Sequence, residues 1–280
     1  MKKRLMAAVL STAMAATMLL TGSISVQAAD AAAANDPAVE LIFTSVSVSG
    51  DSHTEAMYEF ADKVEELSGG SVTCKCYDNG SLFSSENEFD ALLNGDADLA
   101  YISFPTIATQ IPSYSMFASG YLFSSYEHMT SVLNGDIGLN KIRPQIEETL
   151  NIKPLSSFYL GSRVINTREK EINSYDDMNG LLLRMPNSEA WLFLGEALGA
   201  NPTPLSFSEL YTALQTGAVD AQDNPLPSIE SAKFYEVTKY IAITNHVVDS
   251  IMPCINGDTW NSMTEAQQEA VTEAMEYARD

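Results

Sequence analysis

Apolar and polar positions along the chain repeat with two periods. Val39, Leu41 and Phe43 recur at every second residue, the spacing of a half-buried strand. Ala56, Phe60, Val64 and Leu67 recur every three to four residues and predict a helix over Ser52 to Leu67, stopped by Gly69-Gly70. Val72 to Tyr77 reads as a second strand, Glu86 to Leu93 as a helix ended by Asn94-Gly95, and Asp98 to Ile102 as a third strand. This β-α-β-α-β order predicts a largely parallel sheet. A looser aromatic stretch follows, with Pro105, Pro112, Tyr114, Phe117, Tyr121 and Phe123. Helices are expected at about Tyr126 to Leu133 and Ile142 to Leu150, and Pro154 to Leu160 reads as a strand leaving the first unit.

The second half repeats the theme. Ser174 and Asp177 form a capping-box pattern over a short turn that Gly180 ends. Leu181 to Arg184 reads as a strand ended by Pro186, and Asn187 as the cap of a helix to Leu198, closed by Gly199. Ser206 and Glu209 suggest a second capping box over the helix Phe207 to Thr216, with Gly217 after it. Ala218 to Gln222 is the next strand, broken by Asn224-Pro225. The pattern predicts an α/β fold of two lobes with a ligand cleft between them. The first lobe takes residues 39–160, completed by about 250–280, and the second takes 161–249.

The N-terminus changes the setting. Lys2, Lys3 and Arg4 precede an apolar run from Leu5 to about Leu20, and Val26-Gln27-Ala28 supplies a signal-peptidase pattern. Residues 1–28 are therefore expected to be a signal peptide, and residues 29–38, Ala-rich around Asp30 to Pro37, a flexible spacer. The apolar run is studded with Ala, Ser and Thr and lacks stop-transfer charges, so export is expected over anchoring. The expected location is periplasmic or extracytoplasmic.

The formal net charge is −22. That excludes nucleic acid as an expected partner, because phosphate binding needs a basic surface. It also means that any anionic ligand approaches against the overall field, so capture has to rest on a few local buried donors. Cys74 and Cys76 alternate on a strand-like run and Cys254 stands alone, so the three read as small buried hydrophobes. His53, His128 and His246 are scattered without paired-ligand spacing, and no metal or cofactor is expected. The chain has no Gly-x-Ser-x-Gly elbow, His-Glu-x-x-His or P-loop, so catalysis is not expected.

Ligands of open α/β sheets sit beyond the carboxyl ends of strands. Arg184 and Asn224 fall at such ends, and Arg163 follows the strand ending at Leu160 and Gly161. An arginine there offers a planar fork matched to a carboxylate. A salt bridge within the protein is the other use of the same fork.

These residues belong to a distinctive run. Arg184-Met185-Pro186 is followed by Leu198-Gly199-Ala200-Asn201-Pro202, Phe207-Ser208-Glu209-Leu210-Tyr211, Ala213-Leu214-Gln215-Thr216-Gly217-Ala218-Val219-Asp220 and Asn224-Pro225. Lys233-Phe234-Tyr235-Glu236-Val237-Thr238-Lys239-Tyr240 and Thr244-Asn245-His246 continue it. The run resembles the solute-binding proteins of TRAP (tripartite ATP-independent periplasmic) transporters, of the dicarboxylate- and sialate-binding type. The likeness is strongest from about Arg163 to Trp260 and weaker from about Leu41 to Phe104, where Gly80-Ser81-Leu82-Phe83 stands near the family's Gly-Gln-Leu-Gly turn.

The resemblance implies a periplasmic-binding-protein-like fold that closes on a small organic acid and delivers it to integral-membrane transporter subunits. It implies that Arg184 clamps the ligand carboxylate, that Arg163 and Asn224 add contacts, and that Phe207 packs on the ligand body. First-lobe contacts are expected near His53 or Asn87, and Ser103 stands where sialate binders carry a Glu. A monomer is expected. The chain ends at Asp280, before the family's last helical segment, so an incomplete C-terminal part is expected. A binding protein of an ATP-driven importer and an extracytoplasmic sensor subunit are the alternatives; the first lacks the Arg-x-Pro and Phe-Ser-Glu run, and the second shares the cleft.

Overall fold

The computed structural model describes residues 33–280; the expected signal peptide and the first residues of the spacer lie outside the described residues. Local signals place the first elements. Strand β1 (Val39–Thr44) is followed by helix α1 (Ser52–Leu67), whose N-cap Asp51 accepts a hydrogen bond from the His53 backbone N–H. Gly69 and Gly70, both at positive φ, let the chain turn back into β2 (Val72–Tyr77). Helix α2 (Glu88–Asn94) and strand β3 (Leu99–Ile102) complete the unit, with β1 pairing in parallel to both β2 and β3.

Ten strands of the described residues form one sheet in the order β2-β1-β3-β10-β5-β8-β6-β7. Strand β4 (Ile152–Pro154) pairs with β10, and β9 (Tyr240–Ala242) with β5. At the far end β6 (Leu182–Met185) pairs in parallel with β7 (Asn201–Pro204) and β8 (Ala221–Pro225). Two long antiparallel strands, β5 (Phe158–Thr167) and β10 (Val248–Asn256), join the two parallel ends. Each serves both lobes. The first half of β5 pairs with β10 and its second half with β8, while β10 pairs with β5 through Val248–Ile251 and with β3 through Met252–Ile255.

Apolar side chains fill both faces of each end of the sheet. In the first lobe, Leu41, Phe43, Met57, Phe60 and Val64 pack with Val271 and Met275 of helix α7 (Glu265–Arg279). The opposite face buries Leu92, Ile102, Met129, Leu133 and Ile146, the last three from helices α3 (Tyr126–Leu133) and α4 (Arg143–Leu150). In the second lobe, Leu183, Met185, Trp191 and Leu194 cluster around helix α5 (Glu189–Ala197), and Val164, Leu210, Leu214 and Phe234 around helix α6 (Phe207–Thr216). Each such buried side chain contributes roughly 1.5–3 kcal/mol. No described helix is long and apolar enough to cross a membrane.

Four expectations about the strands, the α5 cap and the spacer change. The strand expected over Pro154 to Leu160 is two strands, and β5 runs on through Gly161 to Thr167, so Arg163 lies within a strand. Gly161 allows this: its φ is +127°, and a Cβ there would lie 2.4 Å from the Pro225 side chain. Asn224 and Pro225 likewise belong to β8, because Pro225 sits opposite Arg163 at the strand's end and needs no ladder donor there. Ser188, not Asn187, caps α5, its hydroxyl accepting the Trp191 N–H. The end of the expected spacer is anchored: Ala33 is buried, Asp36 accepts a bond from the Thr264 hydroxyl, and the Pro37 carbonyl accepts from Gln267 Nε2 at 2.8 Å.

Candidate ligand cleft

A cavity of ≈ 370 Å³ lies between the lobes. From the second lobe it is lined by Arg163, Arg184, Ser188, Trp191, Phe207 and Asn224; from the first by Asp51, Glu86, Glu88, Tyr101 and Ser103. The two arginines reach it by different routes. Leu183 and Met185 bury in the second-lobe core, and Arg184 between them turns its side chain to the opposite face of the sheet, at the end of β6. Arg163 comes from the middle of β5, where the chain passes between lobes.

Arg163 is 3 % exposed and fully engaged. Its Nε donates to Asp223 Oδ2 at 2.8 Å, Nη2 to Asp223 Oδ1 at 3.0 Å, and Nη1 to Asp249 Oδ2 at 2.8 Å. Nη2 also donates to the Asp223 carbonyl and to Asn224 Oδ1 at 3.3 Å, and the guanidinium lies 4.5 Å from the centre of the Trp191 ring. His246, fully buried, adds a 3.1 Å contact to Asp223 through Nε2 and a 2.7 Å contact to the Thr244 hydroxyl through Nδ1. Burial on its own would raise the Asp223 carboxyl, but the Arg163 charge and the His246 contact outweigh it and hold the group below the ordinary carboxylate range. At Asp249 burial prevails over Arg163, and the carboxyl is raised.

Arg184 has the opposite surroundings. It is 2 % exposed, and its hydrogen bond runs from Nε to the Leu205 carbonyl at 2.8 Å. Among the described residues no carboxylate pairs with it. Burial pushes its pKa down to about 10, with Asp223 partly opposing and Arg163 adding to the effect, so it remains a cation at neutral pH.

Asn224 is held between Arg163 and Gln222, its Nδ2 donating to Gln222 Oε1 at 2.6 Å. One of its two amide hydrogens remains for another acceptor. Phe207, the first residue of α6, stands edge-on to Phe234 with ring centres 5.6 Å apart. Ser103 caps the short helix Phe104–Ile107 and bonds Thr106.

The structure brings Arg184, Arg163, Asn224, Phe207 and Ser103 to one cleft. It does not bring His53 or Asn87 there. The first turn of α1 aims His53 into the first-lobe core, edge-on to Tyr101 at 5.8 Å and with Nδ1 3.1 Å from Asp51 Oδ1; Asp51 itself lines the cleft. Asn87 is exposed at the start of α2, while Glu86 and Glu88 on either side of it face the cleft. Sequence reasoning missed Asp223, Asp249, Trp191 and Glu88. Glu88 alone left a signal, a charged residue beside Phe89 in the helix that supplies Leu92 to the core.

The sequence profile described as bacterial extracellular solute-binding protein, family 7, matches residues 43–280. The sialic acid-binding periplasmic protein of Vibrio cholerae is 33% identical over 220 residues, 79% of this chain and 68% of that protein. A TRAP periplasmic solute-binding protein from Roseobacter denitrificans, solved with 3-deoxy-D-manno-oct-2-ulosonic acid, is 39% identical with a TM-score of 0.81, over 86% of this chain and 79% of that one. The sugar acid-binding protein of Advenella mimigardefordensis, solved with galactonate, is 29% identical with a TM-score of 0.83, over 87% and 78%. With the profile spanning most of the chain, the chain belongs to family 7 of the bacterial extracellular solute-binding proteins, the family of the TRAP periplasmic solute-binding proteins.

Proposed function

We propose that this protein captures a small organic acid outside the cytoplasm by clamping its carboxylate with Arg184, and delivers it to the integral-membrane subunits of a TRAP-type secondary transporter. One observation carries the reading: a buried arginine in the cleft has a single carbonyl as its hydrogen-bond acceptor and, among the described residues, no carboxylate in ion-pair contact. A buried, unpaired cation is costly, and an entering carboxylate offsets that cost with two charge-assisted hydrogen bonds. The work is capture, with no covalent step. Sialic acid, 3-deoxy-D-manno-oct-2-ulosonic acid and galactonate, the ligands named for the relatives, are all carboxylic acids.

The other polar groups set the frame. Asp223, Asp249 and His246 lock Arg163 in place, and Arg163 in turn positions Asn224 and stacks on Trp191. Phe207 offers an apolar face to the ligand body. Gly161 and Asp249, paired in register where β5 and β10 cross between lobes, form the hinge; the pairing shifts register next to them, with Leu160 of β5 left as the extra residue between the Gly161–Asp249 and Tyr159–Ser250 pairs. On this reading the lobes divide near residues 160 and 250. Across the mouth, the Ser231 hydroxyl donates to Asp51 Oδ2 at 3.0 Å and ties the lobes together.

A thermal-shift screen over monocarboxylates, dicarboxylates, sugar acids, keto acids and neutral sugars tests the reading. An acid at about 100 times its Kd is expected to stabilise the fold by about 2.7 kcal/mol. Stabilisation by a neutral sugar alone would contradict it.

A further inference from the structure

The two walls of the cleft carry opposite charges that the protein itself leaves unmatched. On the second lobe Arg184 is almost fully buried and lines the cavity, and among the described residues its Nη groups have no acceptor. The other arginine of the lining, Arg163, is matched by Asp223 and Asp249. On the first lobe Asp51, Glu86 and Asp90 line the same cavity, and among the described residues no lysine or arginine pairs with them. Asp51 caps α1 and Asp90 lies in the first turn of α2, places where the helix dipole favours a carboxylate. Burial alone would raise the Asp51 carboxyl, but its contacts with His53 outweigh burial and hold it below the ordinary range. Glu86, just before α2, is exposed and accepts from the Ser85 hydroxyl at 3.3 Å. Burial lowers the Arg184 pKa, and Glu86 on the facing wall is close enough to oppose that shift.

This arrangement sorts ligands by charge. A simple carboxylate satisfies Arg184 but brings its own negative charge toward a wall of like charges. A dicarboxylate brings a second one, with no cation on that wall to meet it. A ligand with an ammonium group beyond its carboxylate meets both walls, the carboxylate on the guanidinium fork and the cation among Asp51, Glu86 and Asp90. Such a molecule has no net charge, so the −22 of the chain does not oppose its approach.

Resting on the Arg184 clamp, we propose that the acidic first-lobe wall of Asp51, Glu86 and Asp90 is a cation subsite, and that the ligand is a zwitterion, a monocarboxylate that also bears an ammonium group. Arg184 and the acidic wall then hold the two ends of one molecule, and each lobe gains a contact only when the cleft is filled.

The test titrates the full chain calorimetrically with matched sets that differ only in the far group. The sets are 4-aminobutyrate, 4-hydroxybutyrate and succinate, their homologues longer by one and two methylenes, and glucosaminate against gluconate. In at least one set the amino member is expected to bind about tenfold tighter than the hydroxy member, and about 100-fold tighter than any dicarboxylate of that set. Glu86 and Asp90 are exposed, which holds the expected gain to that size. In Glu86→Gln/Asp90→Asn the amino member is expected to weaken about tenfold, the hydroxy member to stay within about threefold, and the dicarboxylate to tighten. A loss of fold would weaken all members alike, so the opposite signs report charge. Hydroxy or dicarboxylate members binding as tightly as their amino counterparts in every set, or the double variant moving all members in the same direction, would overturn the cation subsite. Binding of other acids alone, abolished in Arg184→Ala, would overturn it as well and leave the clamp standing. Failure of every acid to bind would remove the clamp, and this inference with it.

Discussion

Arg163 and Arg184 lie in one cleft at almost the same depth, 3 % and 2 % exposed, and only their partners separate them. Arg163 is surrounded by Asp223, Asp249, the Asn224 amide and the Trp191 ring. Arg184 touches one backbone carbonyl. The difference shows in the charge balance: burial weighs on both, but at Arg163 Asp223 and Asp249 together outweigh it and raise the pKa, whereas burial prevails at Arg184 and lowers it. A buried arginine whose fork is matched inside the protein is a brace between strands. One whose fork is unmatched is, in the proposed function, the group that meets the ligand. Burial and residue type do not tell the two apart; the neighbours do.

The largest expected effect comes from breaking the brace. Arg163→Ala leaves two buried carboxylates without their cation and is expected to cost about 3–5 kcal/mol in denaturant unfolding, with part recovered in Arg163→Ala/Asp223→Asn. A loss no larger than that of an exposed arginine would mean that the buried network does not hold the strands. Arg184→Met is the counterpart. Removing an unpaired buried cation is expected to leave unliganded stability within about 1 kcal/mol of wild type or above it, and a loss comparable to Arg163→Ala would erase the contrast.

Acid sharpens the same comparison more gently. The Asp223 carboxyl is depressed in the fold, so its contribution is present above the unfolded value, about 4, and is lost as pH falls through the lower folded value. Asp249, raised in the fold, contributes with the opposite sign. Unfolding followed from pH 7 downward is therefore expected to show a loss in wild type that is smaller in Asp223→Asn. The smallest effect belongs to the tie across the mouth. Ser231→Ala removes the bond to Asp51 and is expected to change stability by about 1 kcal/mol or less while speeding ligand release a few-fold, which stopped-flow dissociation would detect.

What the sequence revealed follows the range of each interaction. Helices Ser52–Leu67, Tyr126–Leu133 and Phe207–Thr216 begin and end where periodicity and caps place them, because those signals act within a few residues. Strand β5 escaped, because its continuation past Gly161 depends on pairing with β8, sixty residues away in sequence at the Arg163 contacts. Ser206 and Glu209 bond side chain to side chain at 2.6 Å instead of forming the expected reciprocal cap. In the cleft, the residue type marked Arg184 as a fork for a carboxylate, and the family resemblance pointed to the same position. Nothing local revealed that Arg163 is matched by Asp223 and Asp249, 60 and 86 residues away. His53 and Asn87 missed the cleft by one or two positions each, since a shift of one residue in a helix's first turn rotates a side chain by about 100°.

The most direct measurement is calorimetric titration of the best acid from the screen into wild type, Arg184→Ala and Arg184→Lys. Loss of a buried, hydrogen-bonded partner of a charge predicts about 2–5 kcal/mol weaker binding for Arg184→Ala. Arg184→Lys should fall between, because an ammonium restores the charge without the fork. Wild-type affinity in Arg184→Ala, with the fold intact, would contradict the account.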